Sequence, residues 1–256
     1  MRSVRFVVHD PCVAAERGVA RAFVGTSGWA YASWKQKFYP ADVKAKDLLR
    51  HYATRLKTNE VNYTFNHLPT QRNIDSWKEQ TPDDFLFALK ASQYITHIKK
   101  LEEPATTLPT FFDAVRPLGD RLGPILFQTP PWLTRNDELL SMFVVALPDG
   151  LRCALEVRDP SWYTDEVYDL LRARNVALVH GEGERAPSPL ETIGTTADFA
   201  YVRLRAREGY DEAAIATWTE RLTAVVASGK DVYAYFRHDE DGSNGLAAEA
   251  LRDALA

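Results

Sequence analysis

Hydrophobic positions recur along this chain with two periods that take turns from Ala22 to the C-terminus. Short apolar runs predict strands at Ala22 to Thr26, Thr58 to Phe65, Phe85 to Lys90, Gly123 to Gln128, Arg152 to Arg158, Val176 to His180, Ala200 to Ala206 and Val232 to His238. Between them, apolar residues three and four apart predict helices over 46–56, 70–82, 108–118, 139–147, 165–174 and 212–227, with a closing helix over 246–255. Between strands six and seven the helical pattern lapses, because Pro187, Pro189 and Gly194 disfavour a regular helix there. Alternating strands and helices predict parallel βα units. Their number predicts an α/β fold: a single TIM-like barrel of about eight parallel strands, irregular where that helix is weak or missing. No GxGxxG or GxxxxGK[ST] follows a strand to favour an open, doubly wound sheet. Residues 1–20 read as an N-terminal extension and residues 21–256 as one barrel domain, since no linker or repeat divides them.

Composition narrows the function classes. With 256 residues, 45% of them hydrophobic and 11% aromatic, the chain can bury one large core. A formal net charge of -4 gives no general attraction to nucleic acid or to anionic lipid, so any anion site must be a local cluster. Cys12 and Cys153 stand far apart without CxxC or Cys/His spacing, which argues against disulfides and a structural zinc. The absence of a long apolar run and of a signal-peptide pattern leads us to expect a cytoplasmic protein with no membrane partner.

Strand ends are where the pattern breaks. A strand covered on both faces should be nearly all apolar, yet ALEVR ends on Glu156 and Arg158, which share a face with Ala154. Similar parity puts Glu60 with Asn62, Arg203 with Tyr201 and Arg205, and Arg237 with Tyr233, Tyr235 and Asp239, while Lys90 ends strand three. In a βα barrel these ends meet at one mouth, where active sites of the fold lie. Cations outnumber acids there, as in a site for phosphate or carboxylate. Arg158, Arg203 and Arg237 are therefore expected to hold an anion, with Arg205, Asn62 and Asp239 beside them. Lys90 would neutralise developing charge, and Glu156 or Glu60 would move a proton, making Glu60, Lys90 and Glu156 the candidate catalytic residues. Trp29 and Trp162 are the expected aromatic rim, and with Tyr31, Trp34, Phe65, Trp132 and Tyr163 they admit nucleic acid as an alternative partner. A third alternative is a structural ion network with no ligand. Glu60, Glu156, His180, His238 and Asp239 are acceptable divalent-metal ligands, but no HxxxH or DxD spacing supports a metal, so no cofactor is assigned.

The chain also resembles the YecE-like family, catalogued as domain of unknown function 72. The resemblance runs from about Phe23 to the C-terminus through VGTSGWAYASWKQKFYP, NEVNYTF, TPDDFLFALKA, LGPILFQTPP, ALEVRDPSWY, ADFAYVRLR and DVYAYFRHD. It implies a TIM-barrel-like fold and no assigned activity. Similarity of such barrels to metal-dependent phosphodiesterases acting on DNA implies nucleic-acid binding only by fold analogy. Where the family commonly shows Arg-x-His-Gly, this chain has Arg203-Leu204-Arg205-Ala206, and Phe236-Arg237-His238 replaces Phe-Asn-Asn. Both departures add positive charge at the expected mouth.

Overall fold

A computed structural model describes residues 19–182 and 188–256. Most of the N-terminal extension and Pro187 lie outside the described residues. Within them, the strands are β1 (Ala22–Ser27), β2 (Thr58–Val61), β3 (Leu86–Lys90), β4 (Leu122–Gln128), β5 (Cys153–Glu156), β6 (Ala177–Leu178), β7 (His180–Gly181), β8 (Phe199–Leu204) and β9 (Asp231–Phe236). The helices are α1 (Leu48–Arg55), α2 (Tyr63–Asn66), α3 (Gln71–Gln80), α4 (Pro104–Val115), α5 (Asp137–Ala146), α6 (Asp165–Ala173), α7 (Glu212–Ala227) and α8 (Ser243–Ala254).

All strand pairs are parallel, in the order β6-β5-β4-β3-β2-β1-β9-β8-β7. The nine segments occupy eight barrel positions, because β6 and β7 are two halves of one strand on either side of Val179. The first half pairs with β5 and the second with β8, and Val179 N donates to Leu155 O at 2.9 Å. The barrel is thus nearly closed. Between Gly181 and β8 the described chain forms only a 3-10 turn, Leu190–Thr192, where the sequence predicts a failed helix. β2 is shorter than the expected strand, since Asn62 takes a helical backbone conformation and α2 begins directly after it. Thr64 Oγ1 then bonds Val61 O at 3.0 Å and Lys90 O at 2.6 Å, tying that turn to the ends of two strands.

Side-chain alternation sorts the core into two parts. Outward residues such as Phe87, Leu89, Phe127, Leu155 and Val202 pack with the helices, while Phe23, Ala88, Leu126, Ala154, Val179, Phe199, Tyr201, Tyr233 and Tyr235 fill the barrel. At the bottom, Phe23 stacks on Tyr233 at 4.9 Å, and Arg152 pairs with Asp231 at 2.7 Å. Near the top, β1 and β2 approach so closely that a Cβ on Gly25 would lie 2.2 Å from Thr58 O. Tyr52 of α1 reaches this seam; its hydroxyl accepts from Thr26 N at 2.9 Å and donates to Thr58 O at 2.9 Å. The pair of strands that carries Ser27 and Glu60 is therefore held in place from outside the barrel.

Candidate site at the barrel mouth

Above the aromatic layer the inward positions of β1, β2, β4, β5 and β8 become polar. Arg203, 1% exposed, lies across this layer. Its Nε and Nη2 donate to Glu60 Oε2 and Oε1 at 2.9 and 2.6 Å, and its Nη1 donates to Glu156 Oε2 at 2.6 Å. Glu60 also accepts from Ser27 Oγ at 2.7 Å and from Tyr201 Oη at 2.8 Å, and Glu156 accepts from Gln128 Nε2 at 2.8 Å. Burial is the largest single influence and pushes both carboxyls upward, but Arg203, Arg205 and the hydrogen bonds each carboxylate accepts together outweigh it. Glu60 is held below its ordinary value, and Glu156 is drawn down to about 2. Both are ionised at neutral pH.

This layer is the floor of a cavity of about 810 Å³, walled by Asn62, Lys90, Gln128, Glu156, Arg158, Arg203, Arg205, Arg237 and His238 among others. Lys90 Nζ lies 3.8 Å from the centre of the Phe65 ring and has no carboxylate within 4.0 Å among the described residues. Burial, and then Arg203, lower its ammonium from the usual value to about 8, against the opposing pull of Glu60 and Glu156. Arg205 Nε is buried with no hydrogen-bond partner among the described residues. Burial and the neighbouring Arg203 also lower its affinity for its proton. Arg158, Arg205 and Arg237 form no described salt bridge, whereas Arg203 is neutralised by two carboxylates. The floor sets two carboxylates against one guanidinium; the wall above it is cationic.

The loops are fixed by bonds that leave these groups facing the cavity. Gly28 has φ +85°, and a Cβ there would meet Tyr31 Oη at 2.5 Å, so glycine permits the turn on which Tyr31 donates to Ser27 O at 2.9 Å. Tyr31 stacks on His238 at 4.9 Å. Glu182 accepts from Arg205 N at 2.8 Å, Ala206 N at 3.2 Å and Trp218 Nε1 at 3.2 Å, and also from Tyr210 Oη, pinning the turn after β8.

Of the residues expected at the mouth, Asn62, Lys90, Glu156, Arg158, Arg203, Arg205 and Arg237 line the cavity together, with Glu60 directly beneath. Three are placed elsewhere. Trp162 is fully buried, and its Nε1 donates to Leu133 O at 2.7 Å, so it fastens one loop to the next. Asp239 accepts from Gly242 N at 2.8 Å and Asn244 N at 2.5 Å, which engages both its oxygens at the start of α8. Trp29 lines a separate cleft of about 250 Å³ and packs edge-on against Trp77 at 6.0 Å. Glu60, with both oxygens bonded to four donors, holds Arg203 and has no oxygen open to a ligand. Ser27, Gln128 and Tyr201 belong to the site although the sequence assigns them no role; parity with Arg203 on the same strand is the signal for Tyr201. His180 packs outward against Trp218 at 5.5 Å, because it has the opposite parity to the inward-facing Val179 and Gly181. Among the described residues no three His, Cys, Asp or Glu side chains converge to hold a metal ion. No helix among them is long and apolar enough to cross a membrane.

Among curated proteins the chain is similar to the UPF0759 protein YunF of Bacillus subtilis, 23% identical over 256 aligned residues that cover 86% of this chain and 89% of that one. It is 28% identical to the UPF0759 protein YecE of Escherichia coli over 142 residues, 55% of this chain and 50% of YecE. Among solved structures, a DUF72 family protein from Thermotoga maritima superposes with a TM-score of 0.81 at 26% identity, covering 92% of this chain and 99% of its own. Residues 23–256 match the family described as Protein of unknown function DUF72, and the chain belongs to that family.

Proposed function

We propose that the barrel mouth binds an anionic small molecule through its phosphate or carboxylate group. The supporting observation is that Lys90, Arg158, Arg205 and Arg237 line one cavity with no carboxylate in ion-pair contact among the described residues, above a floor whose two carboxylates are both bonded to Arg203. Lys90 and Arg205, desolvated and without a carboxylate in ion-pair contact among the described residues, favour an anionic ligand, and Arg205 Nε has a donor to spare. Arg158 and Arg205 hold the anion, Arg237 steers it at the rim, and Lys90 stabilises charge as it develops. Glu156 stays ionised and can accept a proton but not donate one at neutral pH. That set suits a hydrolase or a lyase acting on a phosphorylated or carboxylated compound.

Calorimetric titration with sulfate, phosphate and a panel of sugar phosphates and carboxylates tests the reading. Binding should weaken roughly tenfold or more when Arg158 or Arg205 becomes Ala, the loss of one charge-assisted contact. No binding of any member, or binding indifferent to both substitutions, overturns it.

A second reading rests on exposed Trp132, which adjoins the cavity-lining Pro131 and carries Lys100 Nζ 5.1 Å above its ring. Such a platform beside a cationic wall can stack a base of single-stranded nucleic acid. Affinity for an oligonucleotide would then fall steeply with salt and on Trp132→Ala.

A further inference from the structure

Lys90 has a position that anion binding alone does not explain. A permanently charged guanidinium would serve an anion better, and the wall already has those of Arg158, Arg205 and Arg237 among others. The amine instead rests against the face of Phe65, at the end of β3, in a cavity it shares with Arg158 and Arg205. Its backbone is held from the neighbouring turn by Thr64 Oγ1 at 2.6 Å. The charged groups acting on it are Arg203 from β8 and Arg205 just after it, opposed by Glu60 from β2 and Glu156 from β5, and His97 stands edge-on to Phe65 at 5.0 Å. Neither carboxylate is within ion-pair distance, and Glu60 and Glu156 are both bonded to Arg203. Partial burial together with adjacent cations favours the neutral, nucleophilic form of this lysine, opposed by the attraction of the Phe65 ring face and of the two carboxylates for its ammonium.

We infer that Lys90 is the covalent nucleophile of this site, forming an imine with an aldehyde or ketone whose phosphate or carboxylate is held by Arg158 and Arg205. This rests on the anion-binding reading above and names the substrate class. The lone pair of neutral Nζ attacks the carbonyl carbon, forming the C–N bond while the C=O π pair moves to oxygen, which takes up a proton. The nitrogen gives up its first proton as the carbinolamine forms and its second as that oxygen, protonated again, leaves as water, so one water leaves and no redox partner is required. Protonation of the imine gives an iminium that draws electrons from the adjacent carbon. Bond cleavage or proton loss there is the chemistry of a lyase.

Pyridoxal 5′-phosphate and pyridoxal differ by the phosphate and serve as probes for the full chain. After borohydride reduction, intact mass and peptide mapping should show one adduct per chain, at Lys90, at roughly tenfold lower probe concentration for the phosphorylated aldehyde. Excess sulfate should protect, and Lys90→Arg should abolish the adduct while circular dichroism shows an intact fold. Labelling scattered over surface lysines, or equal labelling by both probes, overturns the inference. An unlabelled Lys90 in a protein that binds sulfate overturns the imine and leaves the anion site standing. Absence of both labelling and sulfate binding overturns both.

Discussion

Arg203 grips the Glu60 carboxylate with two parallel bonds, 2.9 Å from Nε and 2.6 Å from Nη2, in a layer of the barrel that neither side chain shares with solvent. Its remaining terminal nitrogen holds Glu156 at 2.6 Å. One guanidinium thus fixes strands β2, β5 and β8 relative to one another and presents Glu156 to the cavity.

Removing one member of such a group leaves a buried charge without a counter-ion. Arg203→Ala should therefore destabilise the protein by about 3–5 kcal/mol in urea denaturation. Replacing Arg203, Glu60 and Glu156 together by Met, Leu and Leu should restore most of that stability, because no buried charge is then left without a partner. A triple variant as unstable as the single one would show that the layer does more than balance charge.

Acid should act on the same layer. Glu60 and Glu156 both titrate below their ordinary value when folded, Glu156 at about 2 against 4.5. Their contribution to stability is complete above the unfolded value and is lost as pH falls through the folded one. Unfolding free energy should decline from about pH 4.5 towards about pH 2, and Glu156→Gln should flatten that slope. Denaturant titrations at neutral and acid pH read the difference directly.

Lys90 gives a signature at the other end of the scale. Its ammonium loses its proton at about pH 8 in the free protein, so sulfate, whose own charge is constant there, should bind progressively more weakly as pH rises through that value. Lys90→Met should lower the affinity below pH 8 and remove the dependence. Lys90→Arg should bind sulfate with no step near pH 8, because arginine keeps its proton. Calorimetry across pH 6.5 to about 9.5 distinguishes the three.

The seam beside the site makes a separate prediction. Tyr52→Phe deprives Thr26 N and Thr58 O of the hydroxyl that joins them, in a seam where all three residues are fully buried. A cost of about 1–3 kcal/mol in thermal or urea unfolding is expected for groups left unpaired. A change within about 0.5 kcal/mol would mean that β1 and β2 close the gap themselves.

Much of this molecule was legible without coordinates. Alternating periods of two and near four specify βα units, because a strand covered by helices and a helix on a sheet each expose a fixed face to the core. The failed helix before Phe199 and the polar strand ends at Glu60, Lys90, Glu156, Arg158 and Arg203 were readable on the same grounds. Parity assigns each side chain to the inside or outside of the barrel, so it brought those residues to one mouth.

What parity cannot say is which charges pair. Only the tertiary structure joined Arg203 to Glu60 and Glu156, left Lys90 against Phe65, and left Arg205 Nε without a partner, because these distances cross the barrel between strands far apart in sequence. The same holds for Asp239, Trp29 and Trp162. Each follows a strand in the sequence, but a loop residue has no alternation to bind it to the mouth. Helix capping drew Asp239 to α8, and apolar area drew the two indoles into packing, Trp29 against Trp77 and Trp162 beneath Leu133. Strand periodicity therefore located the site, and contacts between distant strands decided which of its residues are matched and which remain available to a ligand.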